Sequence, residues 1–304
     1  MSDVTVVMSA YREDPDLFRQ AVDSILAQTM PDLELLIALD DPGNEVLRHE
    51  AEGYAARDSR VRVTVNEKNL GLAASLNRAV ARCSSRYVCR MDADDVALPD
   101  RVERQLAFIE AGGYDLVGGG LDVTDGAGDL LYHAQRLPQS PEAVRRALRW
   151  NNCVPHPSWL GRRWVFEQGY RQIPLCEDYD LLIRTALAGG RMANVSGAVL
   201  RYRMGEESIS RSSLYEQYLY MRYLTKHYAR GHAVDVAEAR TWVAERLDAG
   251  RSSRYLRANG LFNEAMGCLE GHRPFGLLAL LLRIALTSPA YVNKMFRLLM
   301  ASLQ

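Results

Sequence analysis

Three acidic clusters have the residue types and spacing for chemistry. Asp92-Ala93-Asp94-Asp95 gathers three carboxylates within four residues. Like charges so close repel one another unless a cation is present, and hard oxygen ligands suit magnesium or manganese. So few protein ligands point to an ion shared with phosphate oxygens. Taken alone, the run also reads as a solvated turn ahead of a helix starting near Pro99 and Asp100. Glu177-Asp178-Tyr179-Asp180 is the second cluster. Carboxylates at a helix start suit the helix dipole; one beside a sugar hydroxyl can also serve as a general base. Asp40-Asp41-Pro42-Gly43 is the third. By itself it is a turn signal. On the same sheet edge as the Asp92 cluster, Asp40 gains a second reading, accepting hydrogen bonds from a nucleobase or ribose.

That shared edge follows from the pattern of elements. Residues 4–8 (VTVVM) and 33–39 (LELLIAL) are apolar strand-like runs, 60–65 (RVRVTV) alternates with period two, and 86–91 (RYVCRM) is a fourth strand. Helical stripes separate them. Leu17, Phe18, Ala21, Val22 and Ile25 follow an Asp14-Pro15 start; residues 45–57 and the set Leu72, Leu76, Ala79 and Val80 follow the next two strands. Such repetition predicts an α/β fold with a mostly parallel sheet, helices on both faces, and ligands at the carboxyl ends of the strands. Beyond residue 100 the pattern is less regular. Residues 117–121 contain Gly118-Gly119-Gly120, and 122–129 reads as a turn-rich segment or hairpin. A helix over 138–150, loop then strand over 151–159, a helix over 178–188 and a strand over 195–202 follow. From Ser212 onward the pattern is helical. A soft boundary near residue 211 therefore divides a domain of 1–211 from a helical extension of 212–304.

Composition narrows the class. The 304 residues include 37 Lys and Arg against 38 Asp and Glu, which argues against a nucleic-acid binder living on phosphate contacts. With 48% apolar residues there is ample material for a core, against disorder. Cys83, Cys89, Cys153, Cys176 and Cys268 are odd in number without CxxC spacing, which fits buried thiols in a reducing compartment. The opening residues lack the basic-then-apolar pattern of an export signal. The longest apolar run, 276–286, contains Arg283 and falls short of the roughly 20 residues a spanning helix needs. The expectation is a soluble chain, or one attached to a membrane face.

Several landmarks recur in order. They are Val4-Thr5-Val6-Val7-Met8-Ser9-Ala10-Tyr11, Ser24-Ile25-Leu26-Ala27-Gln28-Thr29, the strand ending at Asp40-Asp41, and residues 66–77 (NEKNLGLAASLN). Then come Arg90-Met91-Asp92-Ala93-Asp94-Asp95 closed by Leu98-Pro99-Asp100-Arg101, His156-Pro157-Ser158, Glu177-Asp178-Tyr179-Asp180-Leu181, and Tyr202-Arg203 before Ser208-Ile209-Ser210. Through them residues 3–210 resemble the family 2 glycosyltransferases, which have the nucleotide-binding GT-A fold. The resemblance implies a nucleotide-sugar half over about 1–100 and an acceptor half over about 101–211. Asp92-Ala93-Asp94 would be the DxD motif, with Asp94 on a Mn2+ or Mg2+ ion bridging the donor phosphates and Asp92 on the ribose or the metal shell. Asp40 would read the base, most often uracil. Ser9, Ala10, Tyr11, Asn69, Gly71 and Asn77 would line the nucleotide-sugar cleft. Asp178, or Glu177, would be the catalytic base, with His156 and Asp180 towards the acceptor. Two positions depart from the pattern: Leu76 stands where many relatives carry Arg, and Met204-Gly205 where many carry His after the Tyr-Arg pair. Arg201, Arg203 or Arg211 are other sources of charge for the diphosphate.

The activity so implied is inverting transfer of a sugar, hexosyl by type, from a nucleoside-diphosphate donor, UDP-linked by expectation. The acceptor would be a hydroxyl of a glycan or lipid-linked saccharide, in surface-polysaccharide assembly. The expected location is the cytoplasm, or the inner face of the plasma membrane. A sugar-phosphate nucleotidyltransferase would need a glycine-rich basic loop after the first strand, and residues 9–14 (SAYRED) contain no glycine. A non-catalytic carbohydrate-binding protein would not need Asp92, Asp94 and Asp178 intact, nor a glycoside hydrolase the triple cluster. In the tail, Tyr215, Tyr218, Met221, Tyr223 and Leu224 read as core packing or as an acceptor platform. Residues 275–286, with Lys294 and Arg297 beyond, read as a membrane-interface helix, a buried helix or a homodimer contact.

Overall fold

In the computed structural model, residues 2–204, 213–270 and 274–304 are described. Ser208-Ile209-Ser210 and Arg211 lie outside them. The opening apolar runs form β1 (Val4–Ala10) and β2 (Leu33–Leu39), followed by β3 (Val61–Val65) and β4 (Tyr87–Asp92). These strands alternate with α1 (Pro15–Leu26), α2 (Glu45–Arg57) and α3 (Leu72–Val80). Val6 and Leu35 on one face of the sheet and Val7 and Leu36 on the other are all buried, because both faces are covered. The Asp14 carboxylate caps α1 by accepting the Asp16 amide at 2.8 Å, with Pro15 in the first turn. α1 then buries Phe18, Ala21, Val22 and Ile25.

The chain continues through β5 (Val96–Ala97), α4 (Arg101–Gly112), β6 (Leu116–Thr124), β7 (Leu130–Ala134) and α5 (Pro141–Ala147). It then forms β8 (Leu160–Arg162), α6 (Arg163–Glu167), α7 (Glu177–Leu187) and β9 (Met192–Arg203). One sheet has the order β3-β2-β1-β4-β8-β6-β9-β5, with β7 on β6. Pairing is parallel from β3 to β4. β8 runs antiparallel to both β4 and β6, so the second half of the sheet is mixed. The strand expected within 151–159 lies at 160–162 instead. Pro155 and Pro157 frame a short 3-10 turn at His156–Ser158, where proline lacks the N–H that a ladder needs. The three glycines of β6 answer to close packing. A Cβ on Gly118 would lie 2.5 Å from Val154 Cγ1, and one on Gly119 2.5 Å from Val199 Cγ1.

By contacts the chain forms two compact units. The first is Met1–Arg145, Asn152–Gln172 and Glu177–Glu206 and carries the whole sheet; the second is Arg146–Asn151, Ile173–Cys176 and Glu207–Gln304. The second unit holds α8 (Leu214–Tyr228), α9 (Val236–Ala244), α10 (Ala249–Glu270), α11 (Pro274–Thr287) and α12 (Pro289–Ser302). Its tyrosines are core: Tyr218 and Tyr255 lie 5.3 Å apart between ring centroids, and Tyr255 and Tyr291 5.0 Å. Tyr215 and Tyr223 are buried too, which is the packing alternative for this aromatic stretch. Trp150 belongs here, with its ring against Phe296 and its carbonyl accepting from Arg297.

Candidate active site

The carboxyl ends of β1, β2 and β4 bring three loops together. Asp40, at the end of β2, is nearly buried, and both its oxygens are occupied. Oδ1 accepts from Asn66 Nδ2 at 2.7 Å and the Leu70 amide at 3.0 Å; Oδ2 accepts the Gly71 amide at 2.9 Å. Asn66 also donates to Ser75, whose hydroxyl takes a hydrogen bond from Ser9. Gly71 has φ 77°, a left-handed conformation that favours glycine, and its amide is shared with Asn69 Oδ1. Asp40, Asn69 and Gly71 therefore build the loop wall. The outward carboxylate is Asp41, 19% exposed, gripped by Arg12 Nε at 2.9 Å and the Gly43 amide at 3.0 Å. Arg12 holds the Asp41 pKa below the usual range and lies over the Tyr11 ring at 4.8 Å. Ala10 is buried beside it.

At the end of β4, Asp92 and Asp94 are half-buried and Asp95 is fully buried. Burial, then repulsion from Asp92, pushes the Asp94 carboxyl up to about 6. Glu13, whose carboxylate accepts the Tyr11 amide at 2.7 Å, is pushed up to about 7 by burial, with Asp94 and Asp92 adding to the shift. Asp95 Oδ1 accepts the Arg203 amide at 2.9 Å, while its Oδ2 is buried with no partner. A cation fits these residues: it would offset a crowd of carboxylates, one with an oxygen unpaired. Among the described residues no three His, Cys, Asp or Glu side chains converge as a complete cation site. Phosphate oxygens would have to complete the shell. Arg203 braces this loop, donating to the Asp94 carbonyl at 3.3 Å, the Gly126 carbonyl at 2.8 Å and Gln20 at 3.2 Å. Arg201 is exposed on β9.

α7 opens with Glu177 and Asp178, both half-buried. Asn152 Nδ2 donates to Asp178 Oδ2 at 2.8 Å and the Tyr179 amide to Oδ1 at 2.6 Å. Burial raises both pKa values, Glu177 to about 7, and the nearby Asp178 charge adds to the Glu177 shift. The Arg90 guanidinium bears electrostatically on this pair as well as on the Asp92 loop. It is 3% exposed and donates through both terminal nitrogens to Asp92, one bond at 2.6 Å. Its charge lowers the pKa of Asp94, Glu177 and Asp178 alike, and Asp92 bears on Glu177. The two acidic clusters thus feel the charge of one buried guanidinium.

Other expected residues serve the fold. Asn77 pairs with the Tyr170 backbone, donating to its carbonyl at 2.8 Å and accepting its amide at 2.7 Å. Asp180 is fully buried, with both oxygens engaged by Arg171 and Arg184. His156 is buried, its Nε2 3.0 Å from the Tyr170 hydroxyl and its ring 4.6 Å from Trp159. Burial and Arg90 hold its pKa well below the usual value, which keeps it neutral. Sequence reasoning gave Arg90, Asp41, Asn152 and Glu13 no role. Arg90 did leave a signal: a lone charge inside the apolar strand YVCRM.

The mixed α/β fold, one sheet flanked by helices, is that of a GT-A glycosyltransferase. The chain is similar in structure to S. aureus TarS 1-349 in complex with UDP-GlcNAc, with TM-score 0.58 and 17% identity, over 81% of this chain and 71% of that one. It is also similar to the mannosyltransferase PcManGT of Pyrobaculum calidifontis in complex with GDP-Man and Mn2+, with TM-score 0.58 and 15% identity, over 99% and 86%. The model of glycosyl transferase family 2 matches residues 5–169. Over 217 residues the chain is 30% identical to the O-antigen biosynthesis glycosyltransferase WbnJ of Escherichia coli, covering 69% of this chain and 83% of WbnJ. The chain belongs to the family 2 glycosyltransferases.

Proposed function

We propose that this glycosyltransferase moves a sugar, with inversion, from a UDP-linked donor to a hydroxyl of a growing surface polysaccharide, free or lipid-linked. The catalytic part is taken as residues 1–211. The observation that supports the reading most is the shared position of Arg90, within electrostatic reach of both the Asp92 loop and the Glu177-Asp178 pair. A donor diphosphate and an acceptor base need to border one pocket. WbnJ serves O-antigen biosynthesis, and the UDP-GlcNAc complex of TarS supports a nucleotide-sugar donor.

Asp94 is assigned to a divalent cation, Mn2+ or Mg2+, and Asp92, whose two oxygens both accept from Arg90, to the ribose or the metal shell. When bound, such an ion would neutralise charge on the diphosphate leaving group. Tyr11 and Ser9 border the nucleotide. Asp41 rather than Asp40 is assigned to the base edge, because the Asp40 oxygens are already filled. Asn152 and the Tyr179 amide fix the Asp178 carboxylate. Asp178 takes the proton of the acceptor hydroxyl as its oxygen bonds to the anomeric carbon from the face opposite the diphosphate. The carbon–oxygen bond to the diphosphate breaks, and its electron pair leaves with the nucleotide. One displacement inverts the anomeric centre, and base catalysis of this kind contributes about 10²–10⁴-fold.

A thermal-shift panel of UDP, GDP and their sugars, each with and without Mn2+, tests the donor reading. The expected result is stabilisation by uridine nucleotides that grows with Mn2+. Equal response to GDP, or none to any nucleotide, would reject it.

A further inference from the structure

We infer that α11 and α12 form a docking surface for an anionic lipid membrane. α11 carries Phe275, Leu278, Leu282 and Leu286 at i, i+3, i+7 and i+11, and all four are exposed, Phe275 by 87% and Leu286 by 79%. α12 repeats the device with Val292, Phe296, Leu299 and Leu303. Within α11 only Leu280 and Ile284 among the large apolar side chains are buried, so the reading of this segment as a buried core helix fails. Two exposed apolar stripes on consecutive helices suit a partner better than water.

Length and charge select the partner. Each helix has 14 residues, about 21 Å at 1.5 Å per residue, well below a hydrocarbon core of about 30 Å. The two meet at a 120° bend, and no single helix among the described residues is long and apolar enough to cross a membrane. The pair suits the interface plane. Residues 249–304 contain seven Arg and Lys but two Glu, whereas the rest of the chain carries 30 Lys and Arg against 36 Asp and Glu. Arg251, Arg254, Arg257 and Arg283 are exposed. Anionic headgroups complement that excess, whereas a second copy would bring the same positive charge against itself.

The inference is independent of the donor assignment and is tested separately from it, by flotation of the full chain with vesicles. Vesicles of phosphatidylcholine alone are compared with vesicles containing phosphatidylglycerol. Flotation should be about tenfold greater with the anionic vesicles and should fall as salt is raised. Replacing Leu278→Glu and Leu282→Glu together should abolish it while leaving the melting temperature unchanged, since both side chains are exposed. Arg283→Glu should weaken it severalfold. Absence of flotation with the anionic vesicles, or undiminished flotation of the double variant, would overturn the inference. So would a concentration-dependent dimer, dissolved by the same substitutions, in a chain that ignores vesicles; the surface would then belong to a second copy.

Discussion

Burial raises the Glu177 carboxyl to about 7 and raises Asp178 as well, so each gives up its proton at a higher pH than a free carboxyl would. A base works only when ionised. Turnover at saturating donor should therefore climb with pH, over a range above that of a free carboxylate. Asp178→Asn should cut kcat by about 10²–10⁴-fold with the donor KM unchanged. It should also raise the melting temperature, because it removes one of two crowded buried charges; steady-state kinetics and a thermal melt check both. Unimpaired turnover in that variant would pass the base role to Glu177. Arg90 acts on the same pair from the other side. Arg90→Met should cost about 3 kcal/mol in chemical denaturation, because it leaves buried carboxylates without their counter-charge. The rising limb of the pH profile should move upward too, since this guanidinium adds to the backbone amides in favouring ionisation.

At the level of elements, polar motif residues turn out to act as clasps. Gln28 joins the end of α1 to the Leu98 carbonyl at 2.8 Å and the Val102 amide at 3.0 Å. Arg101 ties the Arg90 carbonyl, at 2.7 Å, to that of Pro157, at 2.8 Å. Asp40 does the same for the 66–71 loop, and this separates it from its neighbour in a testable way. Asp40→Ala should lower stability by about 2–3 kcal/mol by stranding its three donors. Asp41→Ala should leave the melt unchanged and weaken uridine-nucleotide binding by calorimetry. The sequence carried much of this architecture. Doubly buried β1 and β2 were legible as apolar runs, α1 from its Asp14-Pro15 start, and both acidic clusters from their place after a strand or at a helix start. β5 was too short to leave a pattern, and β7 is an exposed ribbon whose apolar Leu130, Leu131 and Tyr132 follow no burial period. Nor does a motif reveal whether its carboxylate faces inward or outward. Asp40 and Asp41 are adjacent letters, and only the donors around them tell them apart.

For the molecule as a whole, the second unit includes short stretches drawn from the middle of the chain. Trp150 packs on Phe296, Arg146 donates to Gln304 at 3.0 Å, and Gln217 donates to the Leu175 carbonyl at 3.1 Å. A chain ended at residue 211 would strip all three of their partners. It should melt well below the full-length protein and lose solubility, as a comparison of the two by differential scanning fluorimetry would register. The buried guanidinium on β4 has a wider consequence. Carboxylates from two distant stretches of sequence share it as their common positive neighbour, so neither can be retuned in isolation. An enzyme wired this way must change its donor grip and its proton acceptor together, or keep both as they are.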